Sequence, residues 1–343
     1  METPSLPQPR TLMEAVRYFA DAERTHDMAV KLRWPDGVQC PVCGVVDEVR
    51  YFVATSKNRK TGKETARRLF ECKAKNAEGK VCKRQFTVKT GSIFEDSALP
   101  LDKWFVAIWA VANCKNGISS YELGRATGVT QKSAWFMLHR IRVAMSAGGL
   151  DGGKFDGIVE ADETYVGGLA KNMHEHKRKA RITARGATAD KVAIMGILQR
   201  TDGEVPSRVL ARVIKDANVK TLQGHIRANV EPGAQVMTDS HVAYRGLRAD
   251  YIHQHVNHAV EYVRGTVHSN GIENFWSLLK RSIKGTYVSV DPHHVQAYVG
   301  EQAFRFNERK GTDLTRFKSV LVSVSGKRLT WKDLTNHDLS AAF

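Results

Sequence analysis

Ile158-Val-Glu-Ala-Asp162-Glu-Thr-Tyr-Val166-Gly-Gly168 is the stretch that decides the fold class. Its apolar and β-branched residues, closed by two glycines, predict a strand. Strand side chains alternate between faces, so Glu160, Asp162 and Thr164 share one side. A polar face on an otherwise apolar strand needs a chemical reason. Toward the C terminus, Val192 to Leu198 and Val205 to Ile214 read as further strands, and Val219 to Val230 as a helix. Gln235-Val-Met-Thr-Asp239 is another short strand, and it ends in an acid. In His268-Ser-Asn-Gly-Ile272-Glu273-Asn-Phe275-Trp276-Ser-Leu-Leu279-Lys280-Arg281, the residues Ile272, Phe275, Trp276 and Leu279 recur at i, i+3, i+4 and i+7, the apolar stripe of a helix. Glu273 flanks that stripe, and Lys280 lies two turns on along nearly the same face. Strands alternating with helices over 151–310 predict an α/β domain.

Asp162, Asp239 and Glu273 thus stand at two strand ends and on a later helix. Three carboxylates so placed suit a pair of Mg2+ (or Mn2+) ions about 3.5 to 4 Å apart, one activating an attacking oxygen and the other stabilising the leaving oxygen of a phosphodiester. Plainer readings stand beside this one. Asp162 and Asp239 also fit ordinary strand-end acids, and Asn270-x-x-Glu273 fits a capping box at a helix start.

Upstream, Cys40-Pro-Val-Cys43-Gly has the turn that aims two thiolates at one ion, and Cys72 and Cys82 supply a second pair for a structural Zn2+. The nine residues between Cys72 and Cys82 require an insertion in the second hairpin. A helical block follows from Leu101 to about Met145. Within it, Ser119-Ser-Tyr-Glu-Leu-Gly-Arg-Ala-Thr-Gly128-Val-Thr130 leads into Gln131 to Arg142 with the apolar seam, glycine turn and N-cap of a helix-turn-helix. The start of its second helix offers Gln131, Lys132 and Ser133 to DNA. The same pattern also fits an αα-hairpin without a DNA role. The expected organisation is an N-terminal helical segment (1–37), a zinc ribbon (38–90), a helix-turn-helix region (91–148), the α/β domain (151–310) and a C-terminal tail (311–343).

The 343 residues carry 52 Lys+Arg against 36 Asp+Glu, a formal charge of +16. Twelve cations and three acids lie in 57–89, and seven cations and two acids in 171–191, so the excess is concentrated in two runs. Such clusters are the footprint of phosphate binding, because Lys and Arg release the counterions condensed on DNA. The second run includes Lys177, Arg178 and Lys179. At 42% hydrophobic and 26% charged, the composition excludes a disordered or collagen-like chain. Its longest apolar stretches, such as Trp104 to Ala112, are too short for a membrane span. With no secretory run at the amino terminus, a cytoplasmic, nucleoid-associated protein is expected. The histidines His253, His255 and His258 with Tyr262 invite comparison with a tyrosine nickase, but Gln254 stands where that motif needs a hydrophobic residue. His268 is placed instead at a DNA-facing cleft.

The runs EADETYVGG, MTDSHVAY, HSNGIENFWSLLKRSIKGTY, CPVCG and GSIFEDSALPLDKWF together resemble the ISXO-like group of DDE transposases of bacterial insertion sequences, over about residues 10 to 310. The resemblance implies a ribonuclease-H-like catalytic domain behind a zinc ribbon and helix-turn-helix. It implies Asp162, Asp239 and Glu273 as the catalytic, metal-binding triad, with Asn270 and Asn274 as neighbouring alternatives for the third ligand, and Lys280 at the usual distance beyond the acid. It further implies binding to double-stranded DNA at the terminal inverted repeats and the target, metal-dependent strand cleavage, 3'-OH strand transfer, and action as a homodimer or higher oligomer. A sequence-specific DNA-binding regulator with an inactive third domain is the alternative.

Overall fold

The computed structural model describes residues 7–46, 48–57, 62, 64–75, 78–146, 153–167, 191–201, 203–239, 242–256 and 268–335. The chain forms two compact units. The first comprises Met1–Asn113, Ser120–Ala144 and Thr312–Trp331, and the second Cys114–Ser119, Met145–Gly311 and Lys332–Phe343.

The first unit opens with helices α1 (Leu12–Phe19) and α2 (Ala22–Arg33). Each starts at a side chain that accepts an otherwise unpaired N–H: Thr11 takes that of Glu14, and Asp21 those of Glu23 and Arg24. Strands β1 (Val49–Lys57), β2 (Glu64–Cys72) and β3 (Gln85–Phe86) form an antiparallel sheet in that order. Helices α3 (Leu101–Asn113), α4 (Ser120–Thr127) and α5 (Gln131–Ser146) follow. The segment from 311, marked by the sequence only as a tail, folds back as a helix over Asp313–Val322. Its Phe317 stacks on Phe19 at 5.0 Å and meets Phe105 and Trp109 edge-on or tilted at 5.5 Å, so the C-terminal segment completes an aromatic core. Arg140 of α5 anchors the same region by donating to the carbonyls of Ile93, Glu95 and Leu329.

The second unit is a five-stranded mixed sheet between helices, as the alternating pattern predicts. Strands β4 (Ile158–Val166), β5 (Val192–Gln199), β6 (Arg208–Ile214), β7 (Gln235–Asp239) and β8 (Ile252–Val256) lie in the order β6-β5-β4-β7-β8. β5 runs antiparallel to both β4 and β6, whereas β7 and β8 run parallel to β4. The connections explain the switch: β4, β5 and β6 follow one another directly in the sheet, while β7 is reached through a crossover helix over Val219–Asn229. That helix, with Tyr244 and Leu247 of a 3-10 segment (Val242–Ala249), covers the face formed by Val159, Ala161, Met195, Ile197 and Val236. The opposite face, with Ile194 and Leu198, is covered by two helices spanning Asn270–Ser282 and Val295–Asn307. Among the described residues, no helix is long and apolar enough to cross a membrane.

Candidate active site and thiolate centre

The parallel register of β4 and β7 aligns Ile158 with Gln235 and Glu160 with Met237. Continued by two residues, it sets Asp162 abreast of Asp239 on the face covered by the helix Asn270–Ser282; Asp239 ends β7, but Asp162, expected at a strand end, lies in the middle of β4, which runs on to Val166 because β5 pairs with it that far. Burial pushes the Asp162 carboxyl up to about 7; repulsion from Glu163 and Asp239 acts in the same direction, and the hydrogen bond from Trp276 opposes them. Glu163, next in sequence, points to the other face, where its Oε2 accepts from the buried Tyr244 hydroxyl at 2.5 Å. Asp162 and Asp239, on one face and near enough for their charges to repel, form a donor set that suits a divalent cation.

Glu160 lies deeper on the strand. Its side chain is 1% exposed, and its Oε2 accepts the Ile272 backbone N–H at 2.8 Å. Its Oε1 accepts from Arg200 Nε at 2.6 Å, while Arg200 Nη2 donates to the His268 carbonyl at 2.5 Å and lies 2.9 Å from His268 Nδ1. A carboxylate from β4 therefore satisfies a free N–H in the first turn of the helix bearing Glu273 and faces the positive end of its dipole. The sequence marks the polar face carrying Glu160 but not what it meets, because Arg200 and the helix start are distant in the chain.

The helix begins at Asn270 with Ser269 as its N-cap residue. This corrects the capping-box reading, in which Asn270 would have held the cap and Glu273 the third helical position. Glu273 instead sits at the fourth, is exposed, and accepts a 2.7 Å hydrogen bond from Ser269 Oγ. Lys280 is exposed further along the helix. His268, expected to face DNA, is 27% exposed and held in the Glu160–Arg200 network. Among the described residues, the group of three or more His, Cys, Asp or Glu side chains gathered as one ion requires is made by four cysteines, not by Asp162, Asp239 and Glu273 together.

Those cysteines are Cys40, Cys43, Cys72 and Cys82, with sulfurs within 4.8 Å of one another. Cys43 and Cys72 Sγ lie 3.5 Å apart, and Cys40 and Cys82 Sγ 4.0 Å. The long Cys72–Cys82 spacing is accommodated by a small hairpin: Lys75 bridges Val81, and the Cys82 N–H donates to the Ala74 carbonyl at 2.8 Å. Burial raises the Cys40 thiol, but the N–H groups of Cys43 and Val42 outweigh it and bring the thiol down to about 7; burial pushes Cys72 up to about 12. An S4 set with backbone donors aimed at sulfur fits one structural zinc ion.

Helices α4 and α5 meet through a tight turn in which Gly128 has φ +63° and the Val129 N–H donates to the Gly124 carbonyl. Gln131 and Lys132 are exposed. Gln131 Nε2 donates to Ser120 Oγ at 2.9 Å, Lys132 Nζ lies 4.7 Å from the Trp331 ring centroid, and Ser133 pairs with Thr130 at 2.9 Å. Lys177, Arg178 and Lys179 lie outside the described residues. On edge strand β8, His253 Nε2 lies 2.9 Å from Thr238 Oγ1.

Comparison with known proteins finds likeness in two parts of the chain. Residues 154–307 match the ISXO2-like transposase domain, and residues 21–85 match the transposase zinc-ribbon domain. The chain is 27% identical over 277 residues to an uncharacterized protein in transposable element ISH50 of Halobacterium salinarum, an alignment covering 78% of this chain and 85% of that protein.

Proposed function

We propose, from the premise that this chain is a transposase of the ISXO2-like family with an N-terminal zinc ribbon, that it cuts and joins DNA by a DDE mechanism. The observation that carries this reading is the parallel register of β4 and β7, which continued by two residues brings Asp162 beside Asp239, near enough for their charges to repel, with the Glu273 helix tied to the same strand. The strand order, three antiparallel strands and then two parallel ones, supports a ribonuclease-H-like domain.

In the reaction proposed, water attacks a phosphodiester at each element end, displacing the element's 3'-OH and leaving a 5'-phosphate on the flanking strand; that 3'-OH then attacks a phosphodiester of target DNA, joins to its phosphorus and displaces a target 3'-OH. Asp162, Asp239 and Glu273 would hold two Mg2+ (or Mn2+) ions, which when bound would supply Lewis-acid activation of the attacking oxygen and offset charge on the leaving one. Asp162 and Asp239 provide negative oxygens from a rigid sheet. Glu160 and Arg200 fix the start of the helix that brings Glu273, and Lys280 faces the DNA phosphates. The α4–α5 pair acts as a helix-turn-helix, presenting Gln131, Lys132 and Ser133 to the element ends. The ribbon, with its bound Zn2+, and the 171–191 run add phosphate contacts, and His268 lies at the edge of the DNA cleft. Two or more copies act together on a pair of ends, in the nucleoid of the cytoplasm.

The test is strand cleavage of element-end DNA with and without Mg2+, for wild type and Asp162→Asn. Metal-dependent nicking lost in the variant, with end binding retained, supports the reading. End binding without metal-dependent cleavage by wild type would leave a DNA-binding regulator.

A further inference from the structure

Trp276 reaches from its helix to the catalytic strand, where its Nε1 donates to Asp162 Oδ2 at 2.9 Å. The indole is otherwise a core group, 3% exposed, in the apolar layer with Ile272, Phe275 and Leu279. Packing alone would be served by any large ring; the N–H is what tryptophan adds.

A second observation shows that the strand is shaped for this ring. Gly196 is paired directly with Asp162 across the antiparallel β4–β5 register, in the middle of the apolar run Val192–Gln199. Glycine weakens a strand interior and marks close approach by another group. A Cβ at Gly196 would lie 2.5 Å from Trp276 Cζ2, 2.6 Å from Cη2 and 2.7 Å from Ile272 Cδ1. The backbone there is not left-handed, so space rather than conformation requires glycine. The missing side chain is the berth over which the indole passes to reach the acid beside it.

We propose that Trp276, seated on Gly196, is a positioning residue that fixes the Asp162 carboxylate for cation binding. The proposal rests on Asp162 being a metal-holding acid. Groups that orient a metal-binding carboxylate tune its affinity without touching the ion, and their loss weakens binding about 10- to 100-fold.

The test uses the zinc-loaded full chain without DNA and titrates Mn2+ by calorimetry, with melting temperature measured in parallel. Asp162→Asn should lose Mn2+ binding. Trp276→Phe, which keeps a large ring but no donor, should raise the Mn2+ Kd by about 10- to 100-fold. Gly196→Ala should raise it similarly by displacing the indole, and it provides the measurement if the phenylalanine variant fails to fold. In Gly196→Ala/Trp276→Ala the Kd should match that of Trp276→Ala alone, because the berth has no function without its ring. A wild-type Kd in Trp276→Phe, with binding lost in Asp162→Asn, overturns the proposal and leaves Trp276 as packing. Equal Mn2+ binding by Asp162→Asn and wild type, or none by wild type, overturns it through failure of the prior reading.

Discussion

Glu160 and Ile272 are 112 residues apart in the chain, yet the buried carboxylate of one accepts the backbone N–H of the other at 2.8 Å. With the Trp276–Asp162 hydrogen bond one turn further along, the helix is held to β4 at two points. These two contacts set both its position and its rotation, and Glu273 travels with them. The distance between the acids is therefore governed by groups that need not touch DNA.

Removing Glu160 should accordingly damage the fold more than removing any exposed acid. Glu160→Ala leaves Arg200, 15% exposed, without its carboxylate and orphans the Ile272 N–H. Breaking one side of a buried ion pair costs about 3–5 kcal/mol. Glu160→Gln retains an acceptor and should cost less. Denaturant midpoints of the two variants check the order, and equal stability of Glu160→Ala and wild type would refute a stabilising role for the Glu160 contacts to Ile272 and Arg200.

Asp162 predicts how the metal-free protein responds to pH. Its carboxyl is raised from 3.8 to about 7, chiefly by burial and then by Glu163, so between those values the folded state binds more protons than the unfolded one. Stability from this group is present in full below about pH 4 and is lost as pH rises through about 7. Asp162→Asn should remove that component, making the variant increasingly more stable than metal-free wild type as pH rises across the window. Melting temperatures of both proteins over that range give the difference, and a difference independent of pH contradicts the burial argument.

The thiolate centre predicts one zinc per chain. Cys40→Ser or Cys82→Ser should lose it along with end binding, since Phe70 and Phe86 share a small core with Cys40, Cys72 and Cys82 that a bound ion would complete. Elemental analysis and end binding of each variant provide the check, and a folded, zinc-free wild type that binds ends would remove the metal from the account.

Much of this architecture is legible in local pattern. The alternation in residues 158–166 marks the polar face of β4, and the 3.6-residue stripe through Ile272, Phe275, Trp276 and Leu279 marks the buried face of the helix. The CPxCG turn marks the first half of the thiolate centre. Long-range pairing leaves no such signal. Arg200 and Gly196 stand in no motif that the sequence shows, and 311–343 reads only as a tail. Their roles emerge only when Glu160, Trp276 and Phe19 are brought against them. The helix start shows a related limit: Asn270 and Glu273 have capping-box spacing, but the N-terminus lies against Glu160, and the cap falls to Ser269.

Glu273 carries the sharpest prediction, because its surroundings separate catalysis from stability. Glu273 is exposed, at the fourth helical position, and accepts a hydrogen bond from Ser269 Oγ. Glu273→Gln keeps an oxygen for that hydroxyl, so the melting temperature should stay close to wild type. Ser269→Ala removes the same hydrogen bond while leaving the charge, and should cost about 0.5–1.5 kcal/mol. If the acid binds metal, cleavage should fall by about two to three orders of magnitude in Glu273→Gln, on the scale of losing one electrostatic stabiliser, and by far less in Ser269→Ala. Equal, small losses in both would reduce Glu273 to a local helix contact and move the third ligand to Asn270 or Asn274. Asn270→Ala and Asn274→Ala would then decide between them, since only the true ligand should abolish cleavage while end binding persists.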